Sequence, residues 1–321
     1  MRTVRVSISV LATAWFLAIP LQGRAQAQAD PTVARGTAYL RSQVRTQSQV
    51  GETALIALAL LKADAPKTDP DLAACVERIR GCFKSSVYEP QRRGGHDIYE
   101  AGVVAMALSN LDAEARRFEL SAVAQYLIAA QKANGSWDYT QRPHGDTSIS
   151  QYAILGLWEA ENGGAEVPPQ VWDRAASWFM SVQAAGGSWN YHRDEPQGNP
   201  ETISMTAAGV GSLLICQRQL ARYRRGAEGV NTLLTPLAPE GAGPVSYDVQ
   251  TSTARLNESI RRGLSWLGAN FTTAQSAVIG QSAFYGLYGI ERIGAACGSR
   301  DARPNRLVRG RPSLHRGGPA G

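Results

Sequence analysis

One sequence pattern occurs twice in this chain, at an interval of 52 residues. The two copies are Tyr126-Leu127-x3-Gln131-x3-Gly135-Ser136-Trp137 and Trp178-Phe179-x3-Gln183-x3-Gly187-Ser188-Trp189. A repeat of this period is typical of a stacked or ring-closed array of one supersecondary unit. The repeat therefore constrains the architecture of the chain, although it does not identify its chemistry.

Two kinds of predicted helix alternate along the sequence. The first kind is amphipathic and mixed in charge: Thr32–Val44, Pro70–Phe83, Ala113–Lys132, Pro169–Ala184 and Thr253–Asn270. The second kind is small and apolar on almost every side: Thr53–Lys62, Ile98–Leu111, Thr147–Glu161, Thr202–Gln217 and Gly280–Ala295. A helix that is apolar all round must be buried, whereas a striped helix can face water. The sequence therefore predicts an all-α fold, an α/α toroid of about five pairs of outer and inner helices. Alternatively, the chain is a truncated ring of six helix pairs in which the last pair is missing.

The N-terminal segment, residues 1–27, is predicted to be a signal peptide. Arg2 and Arg5 give it a positive start, Val6–Leu21 is mainly apolar, and Ala25-Gln26-Ala27 fits a small-x-small cleavage site. An uncleaved membrane anchor is the alternative interpretation. We therefore expect export to the periplasm or the cell exterior after cleavage near Ala27, with no transmembrane helix in the mature chain.

Charge is concentrated at the two ends of the chain. The formal charge is +6, of which residues 1–27 carry +3 and residues 298–321 carry +5, so that residues 28–297 carry −2. A faintly acidic body offers no basic surface for a polyanion, and we exclude nucleic acid as a partner. The toroid domain is predicted to cover residues 30–297. The basic Arg/Pro/Gly tail, residues 298–321, is interpreted as disordered or as an out-of-frame end.

The repeated pattern resembles the QW repeat of the terpene-cyclase and protein-prenyltransferase superfamily, also known as the prenyltransferase and squalene oxidase repeat. The full motif is Arg174-Ala175-x2-Trp178-Phe179-x3-Gln183-x3-Gly187-x-Trp189, and the copy that ends at Trp137 matches its second half. Two further copies match its first half, Arg35-Gly36-x2-Tyr39-Leu40 and Arg262-Gly263-x2-Trp266-Leu267. The resemblance covers about residues 33–296 and implies a single α/α-toroid domain.

The residue types shared by the two copies indicate a structural role, and this inference does not depend on the family resemblance. Glycine permits a sharp turn after the outer helix, tryptophan covers the junction with a large ring, and glutamine can tie helix ends together. The residues assigned to this role are Gln131, Gly135, Trp137, Gln183, Gly187 and Trp189.

Acidic residues stand where four of the predicted inner helices begin: Glu52, Asp97, Asp146 and Glu201. In the fifth pair, Ser276 takes the matching place, and His96, His144 and His192 lie nearby in the sequence. If all inner helices run the same way, these side chains surround one mouth of the barrel. Helix capping and the helix dipole are the alternative explanation of the acids. We assign Glu52, His96, His144 and His192 as candidate binding residues.

The resemblance also implies candidate catalytic residues, because both enzyme classes place key acids or metal ligands at this end of the barrel. Asp146-Thr147-Ser148 is similar to the end of the DxDDTA motif of squalene-type cyclases, which would make Asp146 the acid, with Glu201 and Asp97 as further candidates. The positions before it are Pro143, His144 and Gly145, so the upstream acids of that motif are absent. The Asp, Cys and His zinc ligands of prenyltransferases are not matched either. No metal and no cofactor are predicted.

Three hypotheses for the function follow. The first is an exported toroid that binds a small apolar ligand, a glycan or a protein partner at the mouth of the inner barrel without catalysis. The second is a terpene cyclase-like isomerase or lyase in which Asp146 is the acid. The third is a carbohydrate-active toroid that uses two rim carboxylates as acid and base. A filled centre favours the first, an apolar aromatic cavity the second, and paired carboxylates the third.

Overall fold

The fold is seen in a computed structural model, which describes residues 30–195, 199–225, 247–271 and 283–296. The predicted signal peptide, the basic tail and Ser276 lie outside the described residues. The helices in chain order are α1 (Pro31–Gln43), α2 (Val50–Lys62), α3 (Pro70–Arg80), α4 (His96–Asp112), α5 (Arg117–Ala129), α6 (Thr147–Asn162), α7 (Pro169–Ser181), α8 (Ile203–Arg225), α9 (Thr253–Asn270) and α10 (Ala283–Ala296). The all-α prediction is confirmed.

Helices α2, α4, α6, α8 and α10 form the inner layer, and each packs against the next in the series. Small residues bring them together. A Cβ added to Gly156 of α6 would lie 2.8 Å from the Cα of Gly102 in α4, and a Cβ on Gly102 would lie 2.5 Å from the carbonyl oxygen of Tyr152. Glycine in a helix costs about 1 kcal/mol of stability. Here it permits a backbone approach that any side chain would prevent.

The row of inner helices curls until its last member faces earlier ones. From α10, the Tyr285 hydroxyl donates to Gln151 Oε1 of α6 at 2.6 Å, and the Tyr288 hydroxyl lies 3.4 Å from the sulfur of Met106 in α4. Tyr152 stacks on Tyr285 with ring centroids 6.2 Å apart. Tyrosine side chains therefore connect α10 to α4 and to α6.

The outer layer consists of α1, α3, α5, α7 and α9. Helix α5 packs on both α4 and α6, whereas α7 and α9 both pack on α8. In α7 the buried side chains include Val171, Trp172, Ala175 and Phe179, which recur at helical spacing on one face. The predicted alternation of outer and inner helices is thus confirmed along the described chain.

Two local features differ from the sequence-based prediction. The predicted end of the second outer helix is instead a short antiparallel β-hairpin, in which Phe83 pairs with Tyr88. The hairpin is anchored by the buried Glu100, whose carboxylate accepts from the Tyr88 hydroxyl at 2.9 Å and from the Gln91 N–H at 2.8 Å. Helix α8 continues past Gln217 to Arg225, because Leu220 stays buried and Arg222 pairs with Glu161 of α6.

The two copies of the sequence repeat form equivalent junctions between an outer and an inner helix. Gln131 Nε2 donates to the carbonyl oxygens of Gly135 and of Val171 in α7, both at 3.0 Å. Gln183 Nε2 donates in the same way to Gly187 and to Ser259 of α9, both at 2.9 Å. Each glutamine therefore ties its own turn to the next outer helix.

The tryptophans and glycines of these junctions are equivalent as well. Trp137 and Trp189 are fully buried, and each indole N–H donates to a carbonyl oxygen of the preceding outer helix, Leu127 at 2.8 Å and Phe179 at 2.9 Å. Gly135 and Gly187 have φ values of +93° and +98°. Side chains rarely adopt that conformation, so these turns require glycine.

Helix α1 lies at the surface and is connected to α3 by ion pairs. None of its residues is buried. Arg41 reaches Asp69 Oδ2 at 2.7 Å and Asp71 Oδ2 at 2.8 Å, and Asp69 caps α3 by accepting from the Asp71 N–H at 2.9 Å. The Arg41 guanidinium lowers the pKa of Asp69 to about 2.

No helix within the described residues has the length and the apolar character needed to cross a bilayer. Cys75, Cys82 and Cys216 are buried free thiols. Burial raises the pKa of Cys75 and of Cys82 to about 11, so both remain protonated at neutral pH. Cys297 lies outside the described residues.

We predict that Gly187→Ala destabilises the protein by about 1–3 kcal/mol or more, since strained backbone of this kind costs that amount and overlap adds to it. The added Cβ would lie 2.6 Å from the carbonyl oxygen of Arg262. Gly186→Ala is the matched control, because a Cβ there meets nothing within 4 Å. Urea unfolding measures both variants. Equal stability of the two variants would contradict the assigned role of Gly187.

We predict that Asp69→Ala lowers the free energy of unfolding by about 1–3 kcal/mol at neutral pH, from the lost cap and ion pair. The folded-state pKa of Asp69 lies below its ordinary value of 3.8. Its contribution is therefore complete above that value and is lost as the pH falls toward about 2. Glu77→Gln, which removes an exposed ion pair with Arg80, is the control. Unfolding measured from pH 7 to pH 2 should show the difference between Asp69→Ala and wild type shrinking with acid; a constant difference would be inconsistent with the ion pair.

Candidate functional site

Backbone hydrogen bonds bring three segments of the chain together at the N-terminus of α6. The Asp146 N–H donates to the carbonyl oxygen of Trp137, and the Thr147 N–H donates to that of Tyr191, both at 3.0 Å. The residues after each junction tryptophan are thereby fixed beside the start of this inner helix. Asp138, Asp146 and His192 meet at this point.

Asp146 is the N-cap of α6 and is almost completely buried. Its Oδ1 accepts from the Ile149 N–H at 2.8 Å, as a capping carboxylate does. Its Oδ2 lies 3.0 Å from Nε2 of His192. Helix capping, the simpler explanation of this acid, therefore accounts for one oxygen, whereas the second oxygen faces an imidazole.

Asp138 is a buried carboxylate that sequence reasoning did not select. Its Oδ1 accepts from the Tyr139 N–H at 2.7 Å and its Oδ2 from the Gly145 N–H at 2.9 Å. Burial raises the pKa of Asp138, and the charge of Asp146 acts in the same direction. A signal was present in the sequence, since both repeats continue from tryptophan to a residue of the Asp/Asn type, Asp138 and Asn190.

Asp138, Asp146 and His192 form one compact cluster, which we call the rim triad. One ligand-type atom of each residue lies within 4.8 Å of those of the other two. The residues are 7 %, 2 % and 8 % exposed, respectively. Two carboxylates and an imidazole are thus held together with little access to water.

Arg142 covers the side of the rim triad that faces solvent. Its Nη1 lies 2.9 Å from His192 Nε2 and 3.2 Å from Glu195 Oε1. Its guanidinium also lies over the ring of Tyr139, 6.0 Å from the centroid. The contact with Asp146 raises the pKa of His192, while burial opposes this effect.

A cleft of about 540 Å³ opens beside the rim triad. Its lining combines charged and hydrogen-bonding groups with tyrosine rings and includes both Asp146 and His192. The other lining residues are Tyr139, Arg142, Tyr191, Glu195 and Asn199. Sequence reasoning had selected Asp146 and His192 from this set and had missed the remainder, which follow the tryptophans in loops without a recognisable motif.

The other predicted site residues are placed outside this cluster. His96 is exposed and contacts the ring of Tyr139, with centroids 5.7 Å apart. His144 is exposed, with Nδ1 3.5 Å from Asp194 Oδ2.

Three of the predicted acids are engaged with separate partners. Asp97 accepts from the Gly95 N–H and from the Tyr126 hydroxyl of the outer helix α5. Glu52 and Glu201 form long, exposed ion pairs with Arg92 at 3.9 Å and with Arg193 at 4.0 Å.

No protein-family model and no curated protein sequence matches this chain. Among solved structures, the chain is similar to ent-copalyl diphosphate synthase from Streptomyces platensis, at a TM-score of 0.47 and 17 % sequence identity. The similarity covers 81 % of this chain and 46 % of that synthase. The chain therefore spans about half the length of the synthase that it matches.

Proposed function

We propose that the protein binds a small polar ligand in the cleft beside the rim triad. The observation that carries this proposal is the chemistry of the cleft at the helix starts. Charged and hydrogen-bonding side chains line this cleft, among them Arg142, Glu195 and Asn199.

The lining of the cleft determines which ligands it suits. Arg142 supplies N–H donors, Glu195 and Asp146 supply acceptors, and Tyr139 and Tyr191 supply hydroxyl groups and apolar ring surface. Such a site binds a ligand with several hydrogen-bonding groups favourably. A hydrocarbon would leave the polar atoms of the site without hydrogen-bond partners, which is costly. Of the three kinds of partner that the sequence suggests, a small apolar ligand, a glycan or a protein, the cleft therefore favours the glycan, and other polar metabolites fit it as well.

The cyclase hypothesis gains little from the geometry. A cyclase needs an apolar chamber next to its acid, whereas the cleft beside Asp146 is lined by charged and hydrogen-bonding side chains such as Arg142 and Glu195. The phenol groups on the inner helices are engaged in hydrogen bonds: the Tyr99 hydroxyl donates to Ser148 Oγ at 2.9 Å, and Ser148 Oγ lies 3.0 Å from the Tyr285 hydroxyl.

The carbohydrate-active hypothesis keeps one point in its favour. Asp146 and Glu195 both line the cleft, so two carboxylates could face a bound sugar. Export, which the N-terminal segment predicts, would bring the protein into contact with polar solutes and glycans outside the cytoplasm. Binding is the function that these observations support without requiring a catalytic step.

We predict that polar compounds, and not isoprenoids, stabilise the purified protein. The panel for thermal shift and calorimetry contains mono- and oligosaccharides, sugar phosphates and dicarboxylates, with farnesol and squalene as apolar comparators. Arg142→Gln should weaken binding of a stabilising compound by about tenfold or more, since a hydrogen bond to a charged group is worth about 1.5–3 kcal/mol.

Arg80→Gln is the matched control for Arg142→Gln, because Arg80 lies on α3 in an exposed ion pair with Glu77. It should bind the compound as the wild type does. Stabilisation by the apolar comparators alone, or equal binding by the two arginine variants, would refute the proposal. Product analysis of the sugar samples shows in the same experiment whether any sugar is hydrolysed.

A further inference from the structure

We propose that Asp138, Asp146 and His192 bind one divalent transition-metal cation at the inner end of the cleft. Two carboxylates and an imidazole are ligands that such cations accept together. One potential ligand atom from each side chain already lies within 4.8 Å of the others. The sequence predicts no metal, because the Asp, Cys and His zinc ligands of prenyltransferases are not matched.

Backbone N–H groups orient two of the three ligands, Asp138 and Asp146. Asp138 is oriented by the Tyr139 and Gly145 N–H groups, and Asp146 is oriented by the Ile149 N–H. Gly145 has a φ of +104°, and a Cβ there would lie 2.6 Å from the Ser136 side chain. Supporting hydrogen bonds of this kind fix metal ligands before the metal binds.

The negative charge of the two carboxylates in the rim triad exceeds the positive charge that His192 can supply, which favours a bound cation. Asp138 and Asp146 are both buried, and a buried carboxylate is costly unless it is paired. His192, even when protonated, supplies one positive charge for two carboxylates. Arg142 lies on the solvent side and divides its contacts between His192 and Glu195. A dication would neutralise both acids at once.

The contacts of His192 Nε2 provide a second, independent observation. This nitrogen lies 2.9 Å from Arg142 Nη1, which can only donate, and 3.0 Å from Asp146 Oδ2, which accepts when ionised. A protonated Nε2 satisfies the carboxylate but opposes the guanidinium, and an unprotonated Nε2 does the reverse. With a cation present, the Nε2 lone pair and the Asp146 oxygen would both face the metal, and Arg142 would keep its contact with Glu195.

The spacing of these two atoms agrees with a shared coordination sphere. Two ligands bound at about 2.1 Å and at right angles to each other lie about 3.0 Å apart. The observed distance between Nε2 and Oδ2 is 3.0 Å. The distance is compatible with both atoms binding one cation, and Mn²⁺ is one candidate. Zn²⁺ has the same preference for imidazole and carboxylate.

The metal proposal does not require the organic ligand of the cleft, because all three ligands belong to the chain. The test therefore uses metal alone. The full chain is stripped with a chelator, desalted and titrated with Mn²⁺, whose free form is counted by electron paramagnetic resonance, and with Zn²⁺ by calorimetry. We expect one equivalent to bind. Asp138→Asn and His192→Gln should each weaken binding by about tenfold or more, since even supporting residues of a metal site contribute that much.

Two controls separate loss of a ligand from general damage. Glu77→Gln removes an exposed carboxylate on α3, and His144→Gln removes an exposed histidine near the rim triad; both should bind as the wild type does. Circular dichroism and thermal unfolding establish that each variant is folded. Asn at position 138 keeps an oxygen for the Gly145 N–H, and should Asp138→Asn still fail to fold, His192→Gln decides the question.

Absence of binding by the wild type at up to about 1 mM metal, where the binding free energy is only about −4 kcal/mol, would overturn the proposal. Binding by His192→Gln at wild-type strength would overturn it as well, as would an equal loss in His144→Gln. Loss of metal binding would leave the polar-ligand proposal standing, because the compound panel is measured with chelator present. Failure of the panel would likewise leave the metal result unaffected.

Discussion

The structure depends on how the chain crosses from an outer helix to the next inner helix. A glycine at positive φ makes the turn, a buried tryptophan closes it, and a glutamine donates to the turn and to the following outer helix. The outer helices α7 and α9 touch each other very little. The hydrogen bond from Gln183 to Ser259 therefore connects these two helices. The glutamine that forms it belongs to the repeated sequence pattern.

These junctions also explain why a polar site forms at one edge of an apolar barrel. The carbonyl oxygen of each junction tryptophan accepts from the N-terminal end of the inner helix that follows, from Asp146 for Trp137 and from Thr202 for Trp189. The residues just after each tryptophan are thus fixed near a helix N-terminus, where partial positive charge favours carboxylates. Asp138 and His192 come from successive loops of this kind and converge on Asp146.

The sequence was sufficient to predict the layers and the residues of the junctions, because both follow from periodic patterns that local packing enforces. It also pointed to Asp146 and His192. It did not identify Asp138 or Arg142. Arg142 contacts His192 and Glu195 in the loop of the next repeat, and Asp138 approaches His192 only in the folded chain. It suggested a common rim for Glu52, Asp97 and Glu201 as well, whereas each of these has its own partner: Arg92, Tyr126 or Arg193. The sequence shows which acidic residues lie at helix N-termini, but the conformation of the loops determines which of these residues contact each other.

The central claim is that the repeat junctions hold the Asp146 and His192 side chains against each other, and a double-mutant cycle in metal-free protein tests it most directly. Unfolding free energies are measured for wild type, Asp146→Asn, His192→Gln and the double variant. The account predicts a coupling free energy of about 0.5–3 kcal/mol, as expected for groups in contact. Effects that add to within about 0.3 kcal/mol would mean that the two side chains do not interact, and would contradict it.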